Sequence, residues 1–243
     1  MARPELLNNV THQNLRVLTR HAAEFGHQVG LTLTFPAEYA DIQRHYPILF
    51  RKSPEQGQFQ SVALLGFQAE ENLFLATDLP GGWRTDYVPA MIARGPFMIG
   101  FQNQVIEGEE QQVPVIHLDC DDPRVNETQG QPLFLPHGGN SPYLEHIGQL
   151  LSRIRDGISQ DQKMLAVFDR LGLLEPVNIE IELHNDTKVQ LKGYYSISQD
   201  KLNAVQGDEL VRLNRSGYLC AAYLALTSLG NISRMATLRN QQG

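Results

Sequence analysis

Little in this sequence staples the chain, spans a bilayer or grips a polyanion. Two cysteines stand among its 243 residues, Cys120 and Cys220, a hundred positions apart and outside any Cys-x-x-Cys spacing. That pattern excludes a disulfide framework or a zinc ribbon and predicts reduced, buried thiols. The charge balance is acidic, 20 Lys+Arg against 27 Asp+Glu for a formal net charge of −7, with no dense basic run. Affinity for nucleic acid or anionic lipid rests on clustered positive charge, so neither is a general partner, although a local basic patch is compatible with the balance. No stretch reaches the roughly 18 consecutive apolar residues of a membrane span, so no membrane insertion is expected. Met1 to Val10 lacks the apolar segment of a secretory signal, which predicts a cytoplasmic chain. Also missing are a Gly-x-Ser-x-Gly elbow, a Gly-x-Gly-x-x-Gly turn after a strand and a Gly-Lys-Ser/Thr phosphate loop.

What is present is 42% hydrophobic residues, enough to bury a sizeable core without staples. Apolar and small residues alternate over Val29 to Phe35, and Pro36 opens a helical turn that ends before Pro47. Ile48 to Phe50 reads as a strand, Arg51 to Gln60 as a loop, and Ser61–Phe67 with Asn72–Leu75 as a hairpin. A short helix interrupted at Pro89 follows Trp83. Pro96 to Phe101 is a strand, Gln102 to Gln112 a long polar loop, and Val113 to Asp119 a strand that Pro114 marks as an edge. The clearest signal lies in the second half. Ser141 and Pro142 form a helix start, and apolar residues from Tyr143 to Leu171 recur three or four apart up to Gly172. Two alternating segments, Val177–Leu183 and Val189–Ile197, predict an antiparallel hairpin turning at Asn185-Asp186. Short helices at Asp200–Ala204 and Asp208–Leu213 precede a nearly all-apolar helix, Tyr218–Leu229, expected to be buried. The expectation is an α+β fold. A mixed or mainly antiparallel sheet carries a long central helix, a C-terminal β-hairpin and a buried C-terminal helix, all in one domain over 1–243. It divides at most into a sheet-rich part over 1–136 and a helix-hairpin-helix part over 137–243.

Two residue groups carry candidate chemistry. His117 and Asp119 are i and i+2 on a strand and so share a face, and with His137 or His146 they would supply two histidines and a carboxylate for iron. The plain alternative is a polar strand end, and no cofactor is expected on that reading. Trp83, Tyr87 and Phe97 gather near Gly81-Gly82 and several prolines, where a rigid aromatic face can stack on a ligand. Their plain alternative is a core anchor holding a loop over the sheet. Gly138-Gly139 before the long helix reads as a cap, and the acidic run Glu107 to Glu110 and the pair Asp121-Asp122 as solvated loop charges.

Several segments occur in a recognisable order: His12 to Val17, Tyr46 to Phe50, Val62 to Gly66 with Glu71 to Phe74, and Trp83 with Tyr87 to Ala90 and Pro96-Phe97. The second half adds Gly130 to Phe134, Ser141 to Leu144, Leu173 to Pro176, Gly193 to Tyr195, Asp200 to Asn203 and Ser228 to Asn231. In order and spacing they resemble the bacterial SapC family across nearly the whole chain. This is not the peptide-transport permease of the same name, which is embedded in a membrane. The resemblance implies an accessory protein, named for a paracrystalline surface layer, whose relatives lie near halogenase-like, cupin-like and TonB-dependent receptor proteins. It implies a role in uptake or processing, but brings no established catalytic residues. The reading is therefore a non-catalytic protein that binds a small molecule or a protein partner through Trp83, Tyr87 and Phe97. The alternatives are an iron enzyme using His117, Asp119 and His137 or His146, and a structural surface-layer component; a homo-oligomer is compatible with all three.

Overall fold

The structure is a computed structural model describing residues 3–106, 108–184 and 187–242. In chain order the elements are β1 (Pro4–Leu6), β2 (Arg16–Val17), β3 (Leu31–Leu33), α1 (Tyr39–Ile42), β4 (Ile48–Lys52), β5 (Phe59–Leu64), α2 (Ala90–Ala93), β6 (Phe97–Ile106) and β7 (Glu109–Asp119). They continue with β8 (Val125–Asn126), β9 (Gln131–Pro132), α3 (Pro142–Arg170), β10 (Leu174–Glu182), β11 (Lys188–Ile197), α4 (Gln199–Ala204), α5 (Gly207–Arg215), α6 (Tyr218–Ser228) and α7 (Asn231–Gln242). The strands form a five-stranded sheet in the order β10-β11-β4-β5-β3, a three-stranded sheet β1-β7-β6 and a small sheet β8-β2-β9. Every strand pairing is antiparallel, so with segregated helices the fold is α+β. The C-terminal hairpin enters the main sheet through Tyr194 and Tyr195, which pair with Arg51 and Phe50.

Helix α3 joins these layers. Its start is fixed by Ser141, whose side chain accepts the Leu144 N–H at 3.1 Å, and by Pro142 at the first helical position. Its 29 residues extend about 44 Å, and its apolar stripe serves two cores in turn. Leu144, Ile147 and Leu151 pack with Val17, Phe97, Leu118 and Leu133 beneath the three-stranded sheet. Met164, Leu165 and Phe168 pack with the five-stranded sheet. Between the two, Gly157 lets the helix backbone approach Phe35; a Cβ there would overlap the Phe35 ring. No helix among the described residues is long and apolar enough to cross a membrane.

Several local expectations change. Asn72–Leu75 is not a strand: β5 pairs instead with β3 and β4, and only an isolated bridge links Leu75 to Trp83. The Arg51–Gln60 loop shrinks, because β4 runs to Lys52 and β5 starts at Phe59. Most of the segment read as a polar loop over Gln102 to Gln112 belongs to the β6–β7 ribbon, paired out to Ile106 and Glu109; Glu107 lies outside the described residues. Pro114 sits on the middle strand of its sheet, yet β1 reaches only to His117, so the ladder side Pro114 cannot fill is open there. The α6 helix buries Ala221, Ala222, Ala225 and Ser228 but exposes Cys220 and Tyr223, and Cys120 is half-buried, so neither thiol is buried as expected. Helix α7 follows without having been anticipated. The Asn185-Asp186 turn lies outside the described residues.

Candidate anion-binding cleft

Where the first turns of α3 meet the loop over 19–27, the end of α2 and the turn after β7, four cationic or imidazole side chains converge. Asp122 opens that turn and accepts the Arg124 N–H at 2.9 Å. The same carboxylate holds the Arg124 guanidinium in a two-pronged grip, Nε to Oδ1 at 2.8 Å and Nη2 to Oδ2 at 2.6 Å. Arg124 is only 7% exposed. Its remaining Nη1 lies 3.1 Å from His27 Nε2, while His27 Nδ1 faces the Ala22 N–H at 3.2 Å. A second proton on His27 would therefore face an N–H donor at either nitrogen. Burial first and the Arg124 charge second hold the His27 pKa down at about 4. The same two causes hold His21 at about 4. Burial would raise the Asp122 pKa, but its hydrogen bonds to Arg124 and the Arg124 charge together outweigh it and hold the carboxyl below the usual carboxylate range.

Arg94 caps α2 and donates from Nη1 to the Phe97 carbonyl at 2.6 Å. Burial and the neighbouring Arg124 lower its pKa, and no carboxylate among the described residues forms an ion pair with it. Arg20, which pairs with Glu24, adds a third guanidinium, so at the cleft Arg20, Arg94 and Arg124 stand against the two carboxylates of Glu24 and Asp122. Its volume is about 150 Å³; Arg20, His21, Arg124, Tyr143 and His146 form the polar side, and Val88, Ile92 and Ile147 the apolar side. Three buried side-chain polar atoms among the described residues lack a hydrogen-bond partner: His21 Nδ1, Arg94 Nε and Arg51 Nε. The first belongs to a lining residue; the second belongs to Arg94, which is not itself in the lining but is flanked in the chain by the lining residues Ala93 and Gly95. Positive charge and unused hydrogen-bonding capacity at one concavity describe a receptor for an anionic group.

The aromatic residues singled out in the sequence stand one layer behind this cleft. Trp83 is 7% exposed, and its indole N–H reaches Tyr46 Oη at 2.8 Å and Thr85 Oγ1 at 3.1 Å. Its ring backs His21 edge-on at 5.3 Å. Phe97, fully buried, backs Tyr143 in the same manner at 6.0 Å. Tyr87 precedes the lining residue Val88 and donates its hydroxyl to Glu38 Oε2 at 2.8 Å. Three aromatics expected on one face therefore support different walls.

The four residues expected to hold iron do not converge. Asp119 Oδ1 accepts the backbone N–H groups of Arg3 at 2.9 Å and Asp121 at 3.2 Å. The His117 ring covers Gly100 on the neighbouring strand. His137 is exposed before α3, and His146 is on the rim of the cleft. The His-x-Asp alternation placed two side chains on one face of β7, but the chain brings neither later histidine to them. Among the described residues, the His/Cys/Asp/Glu group with all ligand atoms within 4.8 Å is Glu5, His12 and Cys120.

Sequence reasoning missed Arg124, Arg94, His21 and His27. One signal is available in the sequence: Asp122-Pro123-Arg124 is a turn in which the carboxylate reaches its own i+2 residue, so Asp122 is not the solvated loop charge expected. A larger groove of about 410 Å³ runs between the β4–β5 turn and α3, lined by Lys52, Phe59, Gln162 and Asp169 among others; none of the three unpartnered atoms belongs to its lining residues. A protein-family model described as SapC matches residues 7–235. No curated protein and no solved structure matches the chain.

Proposed function

The chain belongs to the SapC family, and from that premise we propose that it is a binding protein whose Arg124 cleft receives the anionic end of a small ligand. The observation that carries this reading is the pair of buried, unpartnered nitrogens, His21 Nδ1 and Arg94 Nε, beside a cleft whose cations exceed its carboxylates. An unsatisfied buried donor such as the Arg94 Nε–H costs about 1–3 kcal/mol, more when charged, and a bound carboxylate or phosphate removes that cost; His21 Nδ1 donates to the anion once the ring carries a proton there. Drug-sized ligands occupy roughly 300–1,000 Å³, so a cleft of about 150 Å³ fits a single charged group with the rest of the ligand outside. Asp122 is fully engaged by Arg124, so the site has no free carboxylate for acid–base chemistry, and the reading is recognition rather than turnover.

The protein contains one tryptophan, and its ring touches His21, so intrinsic fluorescence reports on the cleft. Titration with inorganic phosphate, and separately with acetate, is expected to give a saturable change in Trp83 emission and a rise in melting temperature. The effect should be at least about tenfold weaker in Arg94→Gln, one charge-assisted contact being about 1.5–3 kcal/mol. Binding of phosphate, which keeps a negative charge down to about pH 4, should tighten as pH falls from about 6 toward 4, because an anion favours the charged form of His21; acetate loses its own charge over that range and is compared at neutral pH only. No saturable change with either probe, or an unchanged response in Arg94→Gln, would refute the reading.

A further inference from the structure

A second cluster lies where the N-terminal segment meets the end of β7. Glu5 pairs with Leu118 across the β1–β7 ladder, and Cys120, two residues beyond Leu118, is on the same side of the strand. His12 is delivered to them by a turn that Asn8 ties together: its Oδ1 accepts the N–H groups of Val10 and Thr11 and the Thr11 hydroxyl at 2.9–3.0 Å. The His12 ring is buried, with Nε2 directed at both partners, 3.4 Å from Glu5 Oε2 and 3.8 Å from Cys120 Sγ.

Zinc bonds of about 2.0–2.2 Å to nitrogen or oxygen and 2.3 Å to sulfur, opened to a tetrahedral angle, separate N from O by about 3.3 Å and N from S by about 3.6 Å. The two separations in the cluster lie within about 0.2 Å of these edges. Carboxylate, imidazole and thiolate together suit a borderline cation better than calcium or magnesium. We propose that Glu5, His12 and Cys120 bind one zinc ion, with water as the fourth ligand, tying the N-terminal segment to β7.

The surrounding contacts fit that occupancy. Arg3 engages the other carboxylate oxygen, Glu5 Oε1, at 3.0 Å and leaves Oε2 to the site. A zinc on Nε2 requires the second imidazole proton on Nδ1, where Thr11 Oγ1 at 3.2 Å accepts it and passes its own proton toward Asn8. The Asn8 N–H, which faces Nδ1 at 3.2 Å, then turns to solvent, to which Asn8 is exposed. Binding displaces the Cys120 thiol proton, so one proton is released per ion and a Cys–S–Zn bond forms without any redox change.

The test uses the full chain, stripped of bound metal with a chelator that is then dialysed away, kept reduced, and titrated with Co²⁺, then with Zn²⁺ as competitor. One equivalent of Co²⁺ should give a near-ultraviolet thiolate-to-cobalt charge-transfer band that Zn²⁺ abolishes. The band should vanish in Cys120→Ser and persist in Cys220→Ser, and Glu5→Gln should weaken Co²⁺ binding at least about tenfold. Absence of the band in the unaltered protein overturns the proposal whatever the variants do. So does a band that survives Cys120→Ser or disappears with Cys220→Ser.

Discussion

The cleft around Arg124 and a second buried polar region along α3 use the same ingredients and differ in completeness. In the second region Asp161 accepts the Ser61 hydroxyl at 2.5 Å and the Ser61 N–H at 3.2 Å, and Tyr39 donates to the same Ser61 oxygen at 2.5 Å. One helical turn from Phe35, Glu38 accepts Thr34 Oγ1 at 2.8 Å, Tyr87 Oη at 2.8 Å and the Ala90 N–H at 3.0 Å. Burial raises the pKa of both carboxyls, that of Asp161 to about 7. Perturbed titration is thus common to the two regions. What separates them is that every carboxyl oxygen in the second is supplied from within the protein, whereas beside the cleft the Arg94 Nε–H has no acceptor and His21 Nδ1 has no partner. A buried carboxylate with all its donors in place reads as structure, a clip from α3 to β5. Unspent donors beside a concavity read as a place for a ligand.

The largest contrast should come from removing one polar partner in each region. Arg124→Ala leaves Asp122 and His27 without their buried partner and is expected to cost about 3–5 kcal/mol in chemical denaturation, along with the anion response. Asp161→Asn keeps an acceptor for the Ser61 N–H and is expected to cost about 1 kcal/mol. Equal losses for the two substitutions would erase the distinction drawn between the regions.

The pH dependence of stability should separate them next, with opposite signs. His21 and His27 have depressed values in the fold, about 4 against an ordinary 6.5, so the unfolded chain takes up their protons first. Their contribution is present above about pH 6.5 and is lost as pH falls toward 4. Asp161 is raised from 3.8 to about 7, so the fold retains its proton longer. Its contribution is present below about pH 4 and is lost as pH rises through 7, at up to roughly 1.4 kcal/mol per unit. Urea denaturation at pH 4.5, 6 and 8 checks this: Asp161→Asn should flatten the alkaline loss alone, and His21→Gln should reduce the acid loss alone.

The same contrast explains what was legible in the sequence. Helix α3 was readable because its spacing, N-cap and closing Gly172 are local, and β10–β11 because one face is wet and the other dry along both strands. The β6–β7 ribbon was not. Its outer half projects with Phe101 56% and Val105 70% exposed, so no buried face imposes the alternation by which strands are recognised. Trp83 was found for its size, which places large aromatics in cores as readily as in sites. Arg124 had no such signal. A charged residue in an acidic turn becomes a buried cation only when α3, α2 and the loop over 19–27 close around it, contacts a hundred or fewer positions away that no local pattern encodes.

The smallest effect is also the most local. Trp83 meets His21 edge-on at 5.3 Å, and His21 in turn lies 5.0 Å from His27, so the indole senses the charge on the cleft without belonging to its surface. A protonated imidazole quenches indole emission more strongly than a neutral one. Emission should therefore fall along a titration centred near pH 4, well below the 6.5 of an exposed histidine. His21→Gln should remove that transition while leaving the fold transition in place. Saturating phosphate should move it upward, since the anion stabilises the imidazolium. An unaltered midpoint with phosphate would separate the two halves of the argument: the histidine would be buried as described, but the anion would be bound elsewhere.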